Sequence, residues 1–279
     1  MTPAPTIARA LARSGLVPLD AQVLLAHVVG RDRAWLVAHA DAALTAAQSA
    51  AFEALARRRL AGEPVAYLTG VRELWGLAFE VSPAVLVPRP ETEALVEVAL
   101  ARIPVDRGVS VLDLGTGSGA IAIAIAHERP RAMVLATDVS AEALAVARAN
   151  AARLGAANVS FLVSDWFDRV PAGAPGVPFG LIVSNPPYVD SADPHLDEDV
   201  RRFEPAVALS PAGDPLAALR RIVGEAPRWL APGGSLAVEH GYDQSARVCA
   251  LFAAAGFRDV VVARDLAGIA RVVAGSLPG

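Results

Sequence analysis

Residues Val109-Ser-Val-Leu-Asp-Leu114 make an apolar run that opens without a spacer into Gly115-Thr-Gly-Ser-Gly119 and then into the alanine- and isoleucine-rich stretch 120–128. This junction constrains the fold more than any other feature. A strand without polar alternation needs cover on both faces, which is the condition of a parallel sheet, and parallel strands need crossover helices between them. The chain beyond Pro90 supplies both. Strands are expected at 132–138, 159–163, 180–184 and 235–239, helices at 91–102, 120–128, 141–154, 215–229 and 243–255, and a closing strand pair at 257–264 and 269–274. The expected class is α/β, with helices on both faces of the sheet.

The first sixty residues follow a different period. Leu16, Leu19, Val23, Leu24 and Val28, then Phe52, Leu55 and Leu60, recur at helical spacing until Gly62-Glu63-Pro64. Leu77, Phe79, Val81, Val85 and Val87 then alternate around Ser82-Pro83, which predicts a β-hairpin. The expected division is a helical domain over 1–72, a hairpin linker over 73–88 and an α/β domain over 89–279. Charge divides in the same place. Residues 1–80 hold eight arginines and seven acids, net +1, and 81–279 hold seventeen arginines and twenty-two acids, net −5.

An acidic chain with no lysine is unsuited to gripping a nucleic-acid backbone, because such binding sums many phosphate neutralisations. No stable nucleic-acid binding is expected. The longest uncharged stretch, 171–189, carries five prolines and cannot run as a membrane helix. Arg9 and Arg13 interrupt any apolar leader, so a cytoplasmic protein without a membrane partner is expected. Cys249 is the single cysteine, which excludes an internal disulfide framework.

Three alternating glycines exceed what a strand-to-helix turn requires, and they let a ligand approach the backbone closely. Gly115, Thr116, Gly117, Ser118 and Gly119 are therefore cofactor-binding candidates. Asp138, at the end of the next strand, is placed to accept hydrogen bonds from ribose hydroxyls. Both features suit NAD and S-adenosyl-L-methionine (SAM) equally. Ser140 is the better candidate to cap the helix that follows.

The reaction is indicated by Asn185-Pro186-Pro187-Tyr188, which directly follows the strand ending at Ser184. Asn185 offers an amide acceptor and a donor, and the restricted backbone around the two prolines fixes the direction of their carbonyls. Two such acceptors can bind both N–H groups of a planar NH2, and Tyr188 offers a face for stacking. Amide nitrogen is a poor nucleophile because its lone pair is delocalised. Holding both hydrogens favours a geometry in which that pair points at an electrophile such as a methyl sulfonium. No side chain in the motif is an evident general base, which leaves Asn185, a proline carbonyl or water to receive the proton. Beside the cofactor, Asp165 and Trp166 are placed to hold an adenine by hydrogen bond and by stacking.

With these motifs in hand, the chain resembles the HemK/PrmC protein-(glutamine-N5) methyltransferases along nearly its whole length. The likeness runs through Tyr67-Leu-Thr-Gly70, Val87-Pro-Arg-Pro-Glu-Thr-Glu93, Asp113 to Gly119, Ser184 to Tyr188, Glu204-Pro205, Leu230-Ala-Pro-Gly-Gly234 and Glu239-His-Gly-Tyr-Asp-Gln244. Asn-Pro-Pro-Tyr alone is shared with DNA adenine methyltransferases, so the Pro-Arg-Pro-Glu-Thr-Glu segment carries the specificity. The resemblance implies a seven-stranded, Rossmann-like class I SAM-dependent methyltransferase domain behind a small helical N-terminal domain joined by a β-hairpin. It places cofactor contacts on Gly115–Gly119, Asp138, Trp166 and Asn185, and substrate contacts on Asn185, Pro186, Pro187 and Tyr188. It further implies SAM as cofactor, S-adenosyl-L-homocysteine as product, and the glutamine of a Gly-Gly-Gln tripeptide in class-1 peptide chain release factors as substrate.

Other readings stay open on sequence grounds: a ribosomal-protein glutamine methyltransferase, a DNA amino-methyltransferase or a dinucleotide-binding oxidoreductase. Arg57-Arg58-Arg59 reads as a solvated helix face. Arg89 and Glu91 are either part of the active-site wall or an inter-domain ion pair, and 190–204 is a candidate lid or partner loop. His195 and His240 have no second ligand at metal-binding spacing, so no metal is expected.

Overall fold

The computed structural model describes residues 5–171, 177–190, 193, 196–211 and 213–279. Two compact units divide the chain. One comprises Met1–Val71 with Glu198–Phe203, and the other Arg72–Asp197 with Glu204–Gly279.

The first unit contains α1 (Ile7–Arg13), α2 (Pro18–Val29), α3 (Arg33–Ala38), α4 (Ala46–Leu60) and α5 (Val65–Thr69). Local chemistry sets their ends. Thr6 and Asp32 accept from backbone N–H groups three residues on, and Thr45 and Gln48 form a reciprocal capping box. Ile7, Leu24, Leu25, Leu36 and Phe52 form the buried core. The arginine triplet is not a uniform solvated face. Arg57 and Arg58 are exposed, but Arg59 is half-buried and donates to Asp20 Oδ2 at 2.7 Å, because the helix turn carries it toward α2.

A hairpin of β1 (Val71–Leu74) and β2 (Leu77–Glu80) follows, and the second unit begins within β1 at Arg72. The hairpin's turn lies at Trp75-Gly76 and not at the expected Ser82-Pro83. Trp75 (φ 55°) and Gly76 (φ 69°) are both left-handed, the two-residue geometry whose twist matches the flanking strands. Ser82 instead makes a local turn, accepting from Val85 N at 3.0 Å, and Val85 and Val87 are buried without joining a strand.

After a short 3-10 turn at Pro90–Thr92, the order is α6 (Glu93–Leu100), β3 (Ser110–Leu114), α7 (Ala120–Glu128), β4 (Met133–Asp138), α8 (Ala141–Leu154), β5 (Val159–Val163) and β6 (Phe179–Ser184). There follow α9 (Glu198–Phe203), which groups with the first unit, then α10 (Ala206–Leu209), α11 (Ala217–Glu225), β7 (Leu230–Glu239), α12 (Ser245–Ala254), β8 (Arg258–Arg264) and β9 (Ala270–Ser276). The seven-stranded sheet has the order β5-β4-β3-β6-β7-β9-β8. Strands β3 to β7 pair in parallel, and β9 is antiparallel to both β7 and β8.

Period-two alternation explains the two layers of helix. Val111, Val134, Ala136, Leu181 and Val183 pack with α6 and α7 on one face, while Leu112, Leu114, Ile182, Leu236 and Val238 pack with α11 and α12 on the other. The chain passes from β3 to β4 on one side, and β6 flanks β3 on the other. That reversal opens a crevice at the carboxyl ends of these strands, which is where such folds bind ligands. No described helix is long and apolar enough to cross a membrane.

Candidate active site

The carboxyl ends of β3, β4, β5 and β6 converge on a cavity of about 800 Å³. Its floor is the glycine loop, where Gly115 (φ 73°), Gly117 (φ 56°) and Gly119 (φ 83°) are all left-handed. Gly115 N and Thr116 N both donate to Thr137 O at 2.9 Å, fastening the loop to β4. The glycines differ in what excludes a side chain. A Cβ on Gly119 would lie 2.9 Å from Ile123 Cδ1 and 3.2 Å from Ala147 Cβ, so this glycine serves the packing of α7 against α8. A Cβ on Gly117 would meet nothing within 4 Å, and Gly117 lines the cavity. Helix α7 starts at Gly119 with no side-chain cap, and Ala120 and Ile121 line the same cavity, so its N-terminal dipole faces the space.

Asp138 lines the cavity beside the glycine loop. Its Oδ2 accepts from Gly117 N and its Oδ1 from Ser140 N, both at 2.9 Å. Burial raises its pKa and these N–H bonds oppose the rise. Ser140 caps α8, accepting from Ala143 N at 3.0 Å. Beneath the loop, Asp113 is completely buried. Its Oδ2 accepts from the Thr116 hydroxyl at 2.7 Å, its Oδ1 has no partner among the described residues, and burial pushes it up to about 7.

Trp166 lines the cavity from the end of β5, and its ring comes within 3.5 Å of the position a Gly115 Cβ would take. Its backbone is left-handed (φ 48°), a conformation costing a bulky residue about 1–2 kcal/mol. The Ser164 hydroxyl secures it by donating to the Trp166 carbonyl at 2.9 Å. Asp165 lines the rim, exposed, with its Oδ1 accepting from Arg221 Nη1 at 3.1 Å.

The tetrapeptide at the end of β6 alternates sides, as extended backbone must. Asn185 and Pro187 line the cavity, whereas Pro186 is buried and Tyr188 lies outside the lining. Asn185 Nδ2 donates to Thr92 Oγ1 at 3.2 Å. The Tyr188 hydroxyl donates to Glu239 Oε1 at 2.9 Å, and the Tyr188 carbonyl accepts from Gln244 Nε2 at 2.8 Å. The opposite wall, 84–89, is pinned by Glu204, a buried carboxylate that accepts from Val87 N at 3.0 Å and from Arg89 Nη2. Arg89 therefore makes its ion pair inside the second unit and lines the cavity, in place of an inter-domain bridge.

Sequence reasoning did not single out Thr92, Glu204, Glu239 or Asn150 as site residues. Asn150 is completely buried on α8, donates to Glu80 O (2.9 Å) and Ser118 O (3.0 Å) and accepts from Glu80 N (2.7 Å). A polar residue on the apolar face of a helix was the available signal. His195 lies outside the described residues. His240 is buried, with Nδ1 at 2.8 Å from Gly241 O, and burial lowers its pKa. Among the described residues no group of three His, Cys, Asp or Glu side chains could hold a metal ion.

A seven-stranded sheet with this order, a glycine loop at its switch point and an Asn-Pro-Pro-Tyr segment beside it define a class I methyltransferase fold. A methyltransferase domain model matches residues 105–265, and a PrmC N-terminal domain model matches 6–70. A methyltransferase from Pyrococcus furiosus shares the fold (TM-score 0.53, 20% identity, 80% of this chain and 98% of that one). So does the ribosomal protein L11 methylase of Lactobacillus delbrueckii subsp. bulgaricus (TM-score 0.50, 23% identity, 67% and 79%). The chain is 52% identical to the release factor glutamine methyltransferase of Burkholderia pseudomallei over 99% of its own length and 98% of that relative, and 46% identical to that of Escherichia coli over 92% and 91%. It belongs to the release factor glutamine methyltransferase family.

Proposed function

We propose that this enzyme transfers a methyl group from SAM to the side-chain amide nitrogen of the glutamine in the Gly-Gly-Gln tripeptide of class-1 peptide chain release factors, leaving S-adenosyl-L-homocysteine. The observation that carries the reading is the meeting of the glycine loop, Asp138, Trp166 and Asn185 in one cavity.

The residues fit the cofactor's chemistry. The uncapped N-terminus of α7 suits a carboxylate. Asp138 spends one acceptor position of each oxygen on backbone N–H groups and keeps others for ribose hydroxyls. Trp166 and Asp165 frame the adenine side. Bound there, the cofactor supplies an electrophilic methyl on a sulfonium. Asn185 and the proline carbonyls hold the two amide hydrogens of the substrate glutamine so that the nitrogen faces that methyl. In the transfer the amide nitrogen would gain the methyl as the sulfonium becomes the neutral thioether of S-adenosyl-L-homocysteine, and the proton the nitrogen gives up would pass to water. Positioning of this kind supplies much of the rate enhancement. The helical N-terminal unit, with its small positive charge, is proposed to dock the substrate protein.

The test is methyl transfer from labelled SAM to purified release factor, ribosomal subunits and duplex DNA in parallel. Label on the release factor alone, lost when the Gly-Gly-Gln glutamine becomes alanine, is the expected result. Label that persists on that variant refutes the target, and label on DNA refutes the substrate class. Asn185→Ala should abolish turnover while SAM binding largely survives.

A further inference from the structure

We propose that Asn150 is a positioning residue for the cofactor cavity: its single side-chain amide, buried behind the glycine loop, fastens the floor of the cavity at Ser118 and the root of the 84–89 wall at Glu80. The inference rests on the reading above, in which that cavity holds SAM.

Helical spacing puts the amide there. The buried residues of α8 are Ala143, Leu144, Ala147, Asn150 and Ala151, an apolar stripe with one polar member. A Cβ on Gly119 would lie 3.2 Å from Ala147 Cβ, so the stripe packs directly against the glycine loop. Asn150 follows three residues on, along the same face. Its Nδ2 donates to Ser118 O at 3.0 Å and to Glu80 O at 2.9 Å, and its Oδ1 accepts from Glu80 N at 2.7 Å and from Arg153 Nη2 at 3.1 Å. A primary amide has two hydrogens to give and two lone pairs on its oxygen, and all four are used.

The backbone groups it holds belong to two sides of the cavity. Ser118 lines the floor. Its carbonyl and the Gly119 N–H lie in one planar trans peptide and point in opposite directions. Asn150 holds the carbonyl edge and Thr116 O accepts from Gly119 N at 2.9 Å on the other, so the plane of this peptide is fixed at both edges. Glycines give such a loop no side chains to restrict it, which makes a fastening from behind effective. Glu80 ends β2, four residues before Ala84 begins to line the wall. Glu204 holds the far end of that wall at Val87 N and Arg89, and Asn150 holds the near end. Serine has a single hydrogen and an ionised aspartate none, so neither can hold both carbonyls. Loss of the amide therefore frees floor and wall together.

Asn150→Ala and Asn150→Ser are to be compared with Asn158→Ala. Asn158 Nδ2 also donates to three backbone carbonyls, those of Ala126, Arg129 and Ala132, but at the amino ends of β4 and β5, away from the cavity. The measurements are S-adenosyl-L-homocysteine binding by calorimetry, steady-state constants on intact release factor, and amide hydrogen exchange of the ligand-free full chain. Both Asn150 variants should bind S-adenosyl-L-homocysteine roughly ten-fold more weakly, the size of one lost bond, and raise the KM for SAM to match while the KM for release factor stays unchanged. Exchange should quicken at 115–121 and 80–86 together. Asn158→Ala should lose stability yet keep wild-type exchange at both segments and wild-type affinity. In wild type, the Asn150 side-chain amide signals in NMR should shift as S-adenosyl-L-homocysteine is added. Wild-type affinity in either Asn150 variant, exchange that quickens at one segment only or no more than in Asn158→Ala, or Asn150 signals that ignore the bound ligand overturns the proposal. If Asn150→Ala does not fold, Asn150→Ser, which keeps one donor, and the wild-type NMR titration decide it. If wild type binds no S-adenosyl-L-homocysteine, the cofactor reading fails instead, and the exchange comparison still decides whether Asn150 fastens the two segments.

Discussion

Replacing Glu239 by glutamine should make the protein gain stability relative to wild type as the pH rises. Burial raises this carboxyl from 4.5 to about 7 in the folded chain. Between those values the folded protein keeps a proton that the unfolded chain releases, so rising pH favours unfolding. Stability contributed by the protonated group is fully present below about 4.5, erodes across the interval and is gone above about 7. At about 1.4 kcal/mol per pH unit, the interval corresponds to roughly 3 kcal/mol. Glutamine does not titrate and keeps the shape. It has its own constant cost, because an NH2 replaces the unpartnered Oε2 and finds no acceptor, about 1–3 kcal/mol. That cost cancels when the same pair of proteins is compared at two pH values. Asp113, whose pKa burial also lifts to about 7, titrates identically in both proteins and cancels as well. The stability of Glu239→Gln relative to wild type should therefore rise by about 3 kcal/mol between pH 5 and pH 8.5. For a domain of this size that is roughly 6–12 °C of relative Tm. Thermal and urea unfolding followed by tryptophan fluorescence at the two pH values measures it. A Tm difference that is the same at both pH values within about 2 °C would refute the reasoning, because it would mean that Glu239 titrates as an ordinary solvated carboxyl.

Arg89→Met should cost about 3 kcal/mol in urea unfolding, since it leaves Glu204 buried with only the Val87 N–H as partner, and it should loosen the 84–89 wall enough to weaken cofactor binding. Gly119→Ala should destabilise the fold by about 2 kcal/mol or more, combining a left-handed backbone with a 2.9 Å approach to Ile123. Gly117→Ala meets open space and should cost only about 1 kcal/mol of stability; a loss of cofactor affinity much larger than that, read by calorimetry, would show that the ligand approaches this backbone closely. Asn150→Ala removes four hydrogen bonds, with Glu80 N, Glu80 O, Ser118 O and Arg153 Nη2, and should lower stability by about 2–4 kcal/mol, measured by urea midpoint.

What could be read from the sequence, and what could not, divides along physical lines. The sheet was legible because an apolar run such as 109–114 can be satisfied only by burial on both faces, and the glycine loop because three left-handed positions in five residues have few other uses. Asn185 stood out because its chemistry is local, an amide before two prolines at the end of a strand, and the structure puts it in the cavity lining. Tyr188 was placed in the right motif, yet its ring lies outside the cavity lining with its hydroxyl on Glu239, because extended backbone sends residues 185 and 187 to one side and 186 and 188 to the other. The hairpin was displaced for a related reason. Alternation at 77–87 could not show that Trp75 accepts a left-handed backbone, so the turn was assigned to Ser82-Pro83, which looks more like one. Thr92, Glu204 and Glu239 lie in segments that carry the family likeness, yet neither they nor Asn150 could be given a role from sequence, because they act over separations of 51 to 117 positions in the bonds they make to Asn185, Val87, Tyr188 and Glu80. No spacing rule reaches so far. A buried carboxylate on an otherwise apolar strand end is nonetheless a signal that can be sought: at 230–239 the last residue before the crevice is the one acid in the strand, and acids are rarely buried there unless something across the sheet requires them.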